Sequence, residues 1–367
     1  MADAIKDVFN RDYLHKLAAD IHVVYPHFKT DEFVKSTMDE AWDSLELKGR
    51  MRQITINLGK FLPANYSEAI TVIDNVIVNQ GSWLESFCLY FPDFVEVFGQ
   101  DDWDISIAAL ERYTPYASAE FAVRPFIIND EERMMAQMYA WSKSDNQHVR
   151  RLASEGCRPA LPWAQALPKF KKDPALILPI LEQLKTDPDI YVRKSVANNL
   201  NDISKTHPDL VAKLAKDWYG ENEYTNWIVK HGCRTLLKKG NRDALAIFGF
   251  HDAKAVDANN FTIDAQTVAI GDSFNFSFTI TTKDATKARL EYAIDFVKST
   301  GKRNRKIFQI SEISLNANES KTYAKNHSFA DLSTRKHYPG THSITLIVNG
   351  LERSTLDFEV KNHQIKP

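Results

Sequence analysis

Cysteine is scarce in this chain. Its 367 residues include three, Cys88, Cys157 and Cys233, far apart, with no CxxC and no His pair at metal-ligand spacing beside them. An odd, scattered set excludes a disulfide framework, gives no reason to expect a metal site, and points to a reducing compartment. Glycine (13) and proline (14) are too few for a collagen-like or low-complexity protein. No stretch offers the roughly 18 uncharged apolar residues that a membrane span requires. The N-terminus, MADAIKDVFNRDYLHKLAAD, carries a charge every few residues and has no apolar core. Neither a secretory leader nor a membrane association is therefore expected, and the expected location is cytoplasmic. A Gly-rich phosphate loop, HExxH, GxSxG and a Cys with a convincing His partner are all missing, which demotes most enzyme classes.

The net charge also lacks a strong sign, at −2 for the whole chain. That balance hides a division. Residues 1–142 carry 12 Lys and Arg against 23 Asp and Glu, a net −11, whereas residues 143–242 carry 18 against 11, a net +7, and residues 251–367 carry a net +3. Asymmetry of this kind between contiguous segments hints at a polyanion-binding surface confined to one part of the fold, although solvated basic helix faces would look the same.

What the chain does have is periodicity of two kinds. At about 150 residues per domain the length implies two or three domains. Up to about residue 250, apolar residues recur at helical spacing, as in Leu176, Ile177, Ile180, Leu181 and Leu184. From about residue 258 they fall at every second position, as in Phe274, Phe276, Phe278 and Ile280, then Ile344, Leu346 and Val348. The expected division is a helical domain over 1–252 and a strand domain over 258–367, joined in HDAKAVDA.

The helical part repeats itself. NQHVRRLASEG (146–156) aligns with DIYVRKSVANN (189–199) at an offset of 43, which superposes Val149 on Val192, Arg150 on Arg193 and Arg151 on Lys194. A further step of 36 lays Trp227, Ile228, Lys230 and Leu236 over Tyr191, Val192, Lys194 and Leu200. Such periods suit two-helix HEAT-type units, which stack into an α-solenoid presenting equivalent positions on one concave side. Arg150, Arg151, Arg193, Lys194 and Lys230 are thus expected to form a basic stripe for a duplex backbone. The alternative is that the Arg of each V-R motif pairs with an Asp of the neighbouring repeat.

The C-terminal part reads as about seven short strands, with turn signals at 284–288, 316–320 and 338–342, the pattern of an antiparallel immunoglobulin-type sandwich. Gly340, His342 and Ile344 fall where such domains carry a turn followed by Tyr and Cys, so the absent Cys pair fits a cytoplasmic variant. STGKRNRK (299–306) gathers Lys302, Arg303, Arg305 and Lys306 into five residues. As a turn between strands it must be exposed, either for solubility or for contact with phosphates.

Three residues stand out against basic or apolar surroundings: Glu120 in SAEFAVRPF, Trp163 in EGCRPALPW and Asp202 in VANNLNDIS. A carboxylate facing a phosphate backbone is disfavoured unless it stabilises positive charge that develops during a reaction. Glycosidic bond cleavage creates such charge at an oxocarbenium-like sugar, where a carboxylate can also orient water, and an aromatic face adds cation–π attraction of about 0.5–2 kcal/mol. Each residue also has a structural alternative. Trp163 could pack between helices, Asp202 could cap the helix that follows, and Glu120 could pair with Arg124 one turn later.

The strings SAEFAVRPFI, VRRLASEGCRPALPW, YVRKSVANNLNDISKTHP and WIVKHGCRTLLKKG resemble the DNA alkylation repair family of HEAT-like DNA glycosylases, in its AlkC branch, over about residues 3–250. FNRDYLHKLA and LELKGRMRQI look like the same branch, and an immunoglobulin-like domain follows the solenoid in some of its members. The resemblance implies a monofunctional hydrolase of base excision repair. Such an enzyme grips duplex DNA and releases cationic N-methylated bases, such as 3-methyladenine-type lesions and 3-methylcytosine, without metal or cofactor, as a monomer in the bacterial cytoplasm at the nucleoid. It implies that Asp202 and Glu120 are the catalytic carboxylates, that Trp163 is the aromatic contact at the lesion, and that the lesion need not be flipped fully into a pocket. Arg158 and Arg234, which lie in the same strings, join the expected DNA contacts. The branch would be expected to carry a further basic residue where this chain has Ala160. A non-catalytic HEAT scaffold for DNA or protein is the competing reading. A glycoside-cleaving protein, which would use the carboxylates and Trp163 but not the stripe, is a third.

Overall fold

The computed structural model describes residues 5–80, 88–250, 253–332 and 336–362. Among them, 16 α-helices run from Arg11 to Ile247 and eight strands follow from Val256. The last of these helices ends at Ile247 and the first strand opens at Val256, and residues 251 and 252 of the expected junction lie outside the described residues. The fold is an all-α helical-repeat region followed by an all-β sandwich. Two compact units emerge, one of Met1–Thr206 with Gly220–Gly232, the other of His207–Tyr219 with Cys233–Pro367. Compactness and secondary structure thus divide the chain at different places. The helices Pro208–Trp218, Arg234–Lys238 and Arg242–Ile247 group with the strands.

In the first unit, the helices Gln147–Gly156, Ile190–Ile203 and Glu223–Gly232 pack side by side in sequence order. Their equivalent apolar positions Val149, Val192 and Ile228 are all buried. Close approach is allowed by small groups. The Ser154 and Ser195 hydroxyls lie 2.6 Å apart, and a Cβ on Gly232 would come within 3.1 Å of the Leu200 Cβ. The repeat holds at atomic detail. Arg150 Nη1 donates to the carbonyls of Ser144 and Asp145 at 3.0 and 2.9 Å, and Arg193 Nη1 to those of Asp187 and Pro188 at 3.0 and 2.6 Å. All three pairs of positions differ by the offset of 43.

The second unit carries the sandwich: β1 (Val256–Ile263), β2 (Thr267–Ala269), β3 (Ser273–Thr282), β4 (Thr286–Val297), β5 (Arg303–Leu315), β6 (Ser320–Ser328), β7 (Gly340–Val348) and β8 (Leu351–Lys361). One sheet has the order β1-β3-β6 and the other β2-β8-β7-β4-β5; among the described residues only the short β2–β8 pairing is parallel. Phe274, Phe276, Phe278 and Ile280 of β3 share one core with Ile344, Leu346 and Val348 of β7. Burying such side chains contributes about 1.5–3 kcal/mol each. The β7–β8 hairpin turns on Asn349 (φ +48°) and Gly350 (φ +74°), the left-handed pair that a two-residue turn between right-twisted strands requires. His342 is fully buried, donating from Nδ1 to the Gly340 carbonyl at 3.0 Å and accepting the Val297 N–H at Nε2 at 3.2 Å. Burial lowers its pKa, so it packs as the neutral ring. The three cysteines are buried too, and burial pushes each thiol up to about 12. They are packing residues, not nucleophiles.

Candidate active site

Helical spacing assembles the site. Arg151 and Glu155 stand one turn apart near the end of the helix Gln147–Gly156, and Arg158 follows within the next turn. Ser118 and Arg151 Nη1 both donate to the Glu120 carboxylate at very short range. Arg151 Nη2 lies 3.5 Å from Glu155 Oε1, and Arg158 Nη1 donates to the same oxygen at 2.6 Å. Arg158 Nε then donates to Asp202 Oδ2 at 2.9 Å, while Lys205 Nζ donates to Oδ1 at 2.8 Å. Carboxylates and cations therefore alternate from Glu120 through Arg151, Glu155 and Arg158 to Asp202 and Lys205. Burial disfavours the charge on Arg151 and Arg158, yet the flanking carboxylates outweigh it and hold both guanidiniums above their ordinary range. Tyr191 lies under Arg151, ring centroid 5.0 Å from the guanidinium carbon.

Glu120, Glu155 and Arg158 open onto a cavity of about 370 Å³ whose remaining wall is largely apolar: Phe9, Met51, Leu89, Phe121, Leu161 and Trp163, with Lys48 at its edge. Trp163 is 76% exposed. Its backbone has φ +63°, a left-handed conformation uncommon outside glycine. Asp202 is not in the cavity wall. Its side chain is 2% exposed, behind Arg158.

The geometry resolves the alternatives residue by residue. Trp163 does not pack between helices. Asp202 caps no following helix, because it sits inside Ile190–Ile203 with its carboxylate on Arg158 and Lys205. Glu120 takes Arg151 instead of Arg124, which donates to the carbonyls of Gly156, Arg158 and Gln165. Burial of Arg124 lowers its pKa to about 10.

Several expected DNA contacts are placed otherwise. Arg150 is bound to Asp187 and Asp189, both at 2.6 Å, so the pairing with a neighbouring repeat holds for it. Arg193 braces its own preceding turn and lies over Tyr224 at 4.3 Å. Arg158 bridges Glu155 and Asp202 and meets solvent only at the cavity wall. Lys194 is exposed, Lys230 half-buried, and Arg234, also half-buried, opens a helix of the second unit. The basic segment 299–306 is only partly a turn. Lys298 N–H bonds Lys302 O at 2.9 Å, and Arg303, Arg305 and Lys306 already belong to the edge strand β5. Period-2 alternation sends Arg303 to Ser343 and Thr341 and Arg305 to Asp295 and Glu352, with Lys306 on the other face over Phe308. All four remain exposed.

The sequence carries no separate functional signal for Glu155, Lys205 or Lys48, and Arg124 enters there only as an alternative partner of Glu120. Only the Arg151–Glu155–Arg158 spacing carried a readable signal, and it matches an ordinary solvated helix face.

Two sequence profiles match the chain: that of the DNA alkylation repair enzyme over residues 114–236, and that of the C-terminal Ig-like domain of the protein YhaZ over residues 257–362. The Bacillus subtilis (strain 168) protein YhaZ is 47% identical over 98% of this chain and 100% of its own length. The Pseudomonas fluorescens alkylpurine DNA glycosylase AlkC, solved bound to DNA containing an abasic site analog, superposes with a TM-score of 0.93 at 38% identity, over 98% of this chain and 100% of its own. This chain belongs to the DNA alkylation repair family. The HEAT-like solenoid with an immunoglobulin-like sandwich, expected from the repeats and the strand pattern, is the architecture of this family member. Among the described residues no helix is long and apolar enough to cross a membrane.

Proposed function

We propose that this family member is a DNA glycosylase that hydrolyses the N-glycosidic bond of cationic N-alkylated bases such as 3-methyladenine in duplex DNA. The observation that carries the reading is the Glu120 carboxylate in the wall of an apolar cavity that also holds the exposed Trp163. The C1′–N bond breaks with its electron pair going to the base, which neutralises the alkylated ring. The leaving group therefore needs no general acid. Positive charge develops at C1′ and O4′, where Glu120 is suited to stabilise it, and water adds to C1′ and loses its proton to the carboxylate or to solvent. Trp163 offers a π-face to the cationic base or sugar.

Arg151 and Ser118 hold Glu120 in one rotamer and moderate its repulsion of the backbone phosphates. Asp202 contributes through Arg158, which it keeps oriented beside Glu155. That supports Glu120, rather than Asp202, as the carboxylate nearest the reacting sugar. The apolar wall offers few partners for the edge of a base, so selectivity rests on the lability of the charged lesion. DNA is held by exposed cations such as Lys194 rather than by the tied Arg150, with the protein acting as a monomer.

Incubation with methylated genomic DNA, followed by chromatography of the released bases, is the test. Free 3-methyladenine is expected. Duplex binding with no base released would favour the scaffold reading instead.

A further inference from the structure

We propose that Lys48 and Arg124 are positioning residues that set the Trp163 indole against the Glu120 wall of the cavity. The proposal rests on the glycosylase reading above and deepens it. Trp163 is so exposed that little packs on its ring, and its direction is set by its backbone. A left-handed φ at a bulky residue persists only where the surroundings over-determine it, and two side chains from distant parts of the chain do so. Arg124, fully buried, donates to Gly156 O at 2.8 Å, Arg158 O at 3.0 Å and Gln165 O at 2.5 Å. One planar guanidinium thus grips both ends of the segment that carries Trp163, a geometry that lysine cannot reproduce. Lys48, in the first turn of the helix Leu47–Phe61, donates to the Trp163 carbonyl at 2.8 Å. Its Nζ also lies 4.3 Å from the centroid of Phe121, the neighbour of Glu120. Lys48 therefore touches both walls, and the separation of indole and carboxylate is fixed by ties that can be cut singly.

The test is single-turnover release of 3-methyladenine from a duplex by the full-length protein and its Lys48→Met, Arg124→Lys, Trp163→Ala and Lys48→Met/Trp163→Ala variants. Lys48→Met is expected to slow release about tenfold, the scale of a misplaced group. Duplex affinity and its salt dependence should stay unchanged. In the Trp163→Ala background Lys48→Met should cost nothing further, since a residue that acts through another is non-additive with it. Arg124→Lys should behave alike; if that variant does not fold, the Lys48 cycle still decides. Full activity of Lys48→Met overturns the proposal. So does an equal loss in both backgrounds with a salt slope lower by about 0.9, which would make Lys48 a phosphate contact. If the parent protein releases no base, the glycosylase reading has failed instead. Positioning is then read from the 19F spectrum of 5-fluorotryptophan protein: a shifted Trp163 resonance in Lys48→Met supports it and an unmoved one overturns it.

Discussion

Arg158 Nε lies 2.9 Å from Asp202 Oδ2, and this contact holds the carboxylate in the interior instead of at the cavity surface. Asp202→Asn keeps the shape but strands Arg158 and Lys205 with less negative charge between them. Removing one partner from a buried ion pair costs about 3 kcal/mol or more, so the variant should unfold at lower temperature and release 3-methyladenine more slowly. Thermal denaturation and single-turnover release measure the two. A variant as stable as its parent and within about threefold of it in rate, under about 1 kcal/mol, would remove Asp202 from the site.

Glu120→Gln should behave differently, because Glu120 lines the cavity and Arg151 retains Glu155 as a partner. Release should fall by about a hundredfold, the usual cost of removing one charge-stabilising group. Stability should fall less than in Asp202→Asn, because Glu120 is the more exposed carboxylate (15% against 2%), and duplex affinity should hold or rise as a negative charge is removed. A rate within about threefold of the parent would leave no catalytic role for this carboxylate.

Trp163 permits a cleaner separation of packing from function. Exposed as it is, Trp163→Ala should leave the thermal midpoint unchanged and slow base release. Because the backbone there is left-handed, Trp163→Gly should be more stable than Trp163→Ala by about 1 kcal/mol while releasing base no faster. A midpoint that drops on truncation to Ala would mean the indole is packed after all.

What the sequence made legible followed from periods. The offset of 43 found Arg150 and Arg193, which do occupy equivalent positions, and the period of two found the inward phenylalanines of β3. Partner choice was not legible, because a V-R motif reads the same whether its guanidinium meets a phosphate or Asp187. Nor can helical spacing tell a solvated Arg151–Glu155–Arg158 face from a buried chain of ions. That distinction lies in Glu120 and Asp202, which approach from 31 and 44 residues away along the chain.

Arg150 and Lys194 should therefore separate stability from binding. Arg150→Ala removes ties to Asp187 and Asp189, and with charged hydrogen bonds worth about 1.5–3 kcal/mol each it should lower the thermal midpoint and leave the salt slope of DNA binding intact. Lys194→Ala should do the reverse, lowering the slope by about 0.9 at constant midpoint. Should Arg150→Ala instead lower the slope and spare the midpoint, its pairing in the free protein is broken on DNA.

The β5 cations extend the same logic to the sandwich. Lys302 sits in the turn and Lys306 lies over Phe308 on the edge strand, while Arg303 and Arg305 are engaged with Ser343, Thr341, Asp295 and Glu352. If this edge meets phosphates, changing all four to Ala should weaken binding to duplexes of any sequence and lower the salt slope by about 2 or more, at about 0.9 per phosphate. Lys302→Ala, in the turn, should account for part of that change without moving the midpoint. Arg303→Ala with Arg305→Ala should instead cost stability, because these side chains tie β5 across β4 to β7 and β8. An unchanged slope in the quadruple variant would leave the edge to solubility, and duplex binding to the cations of the helical repeats.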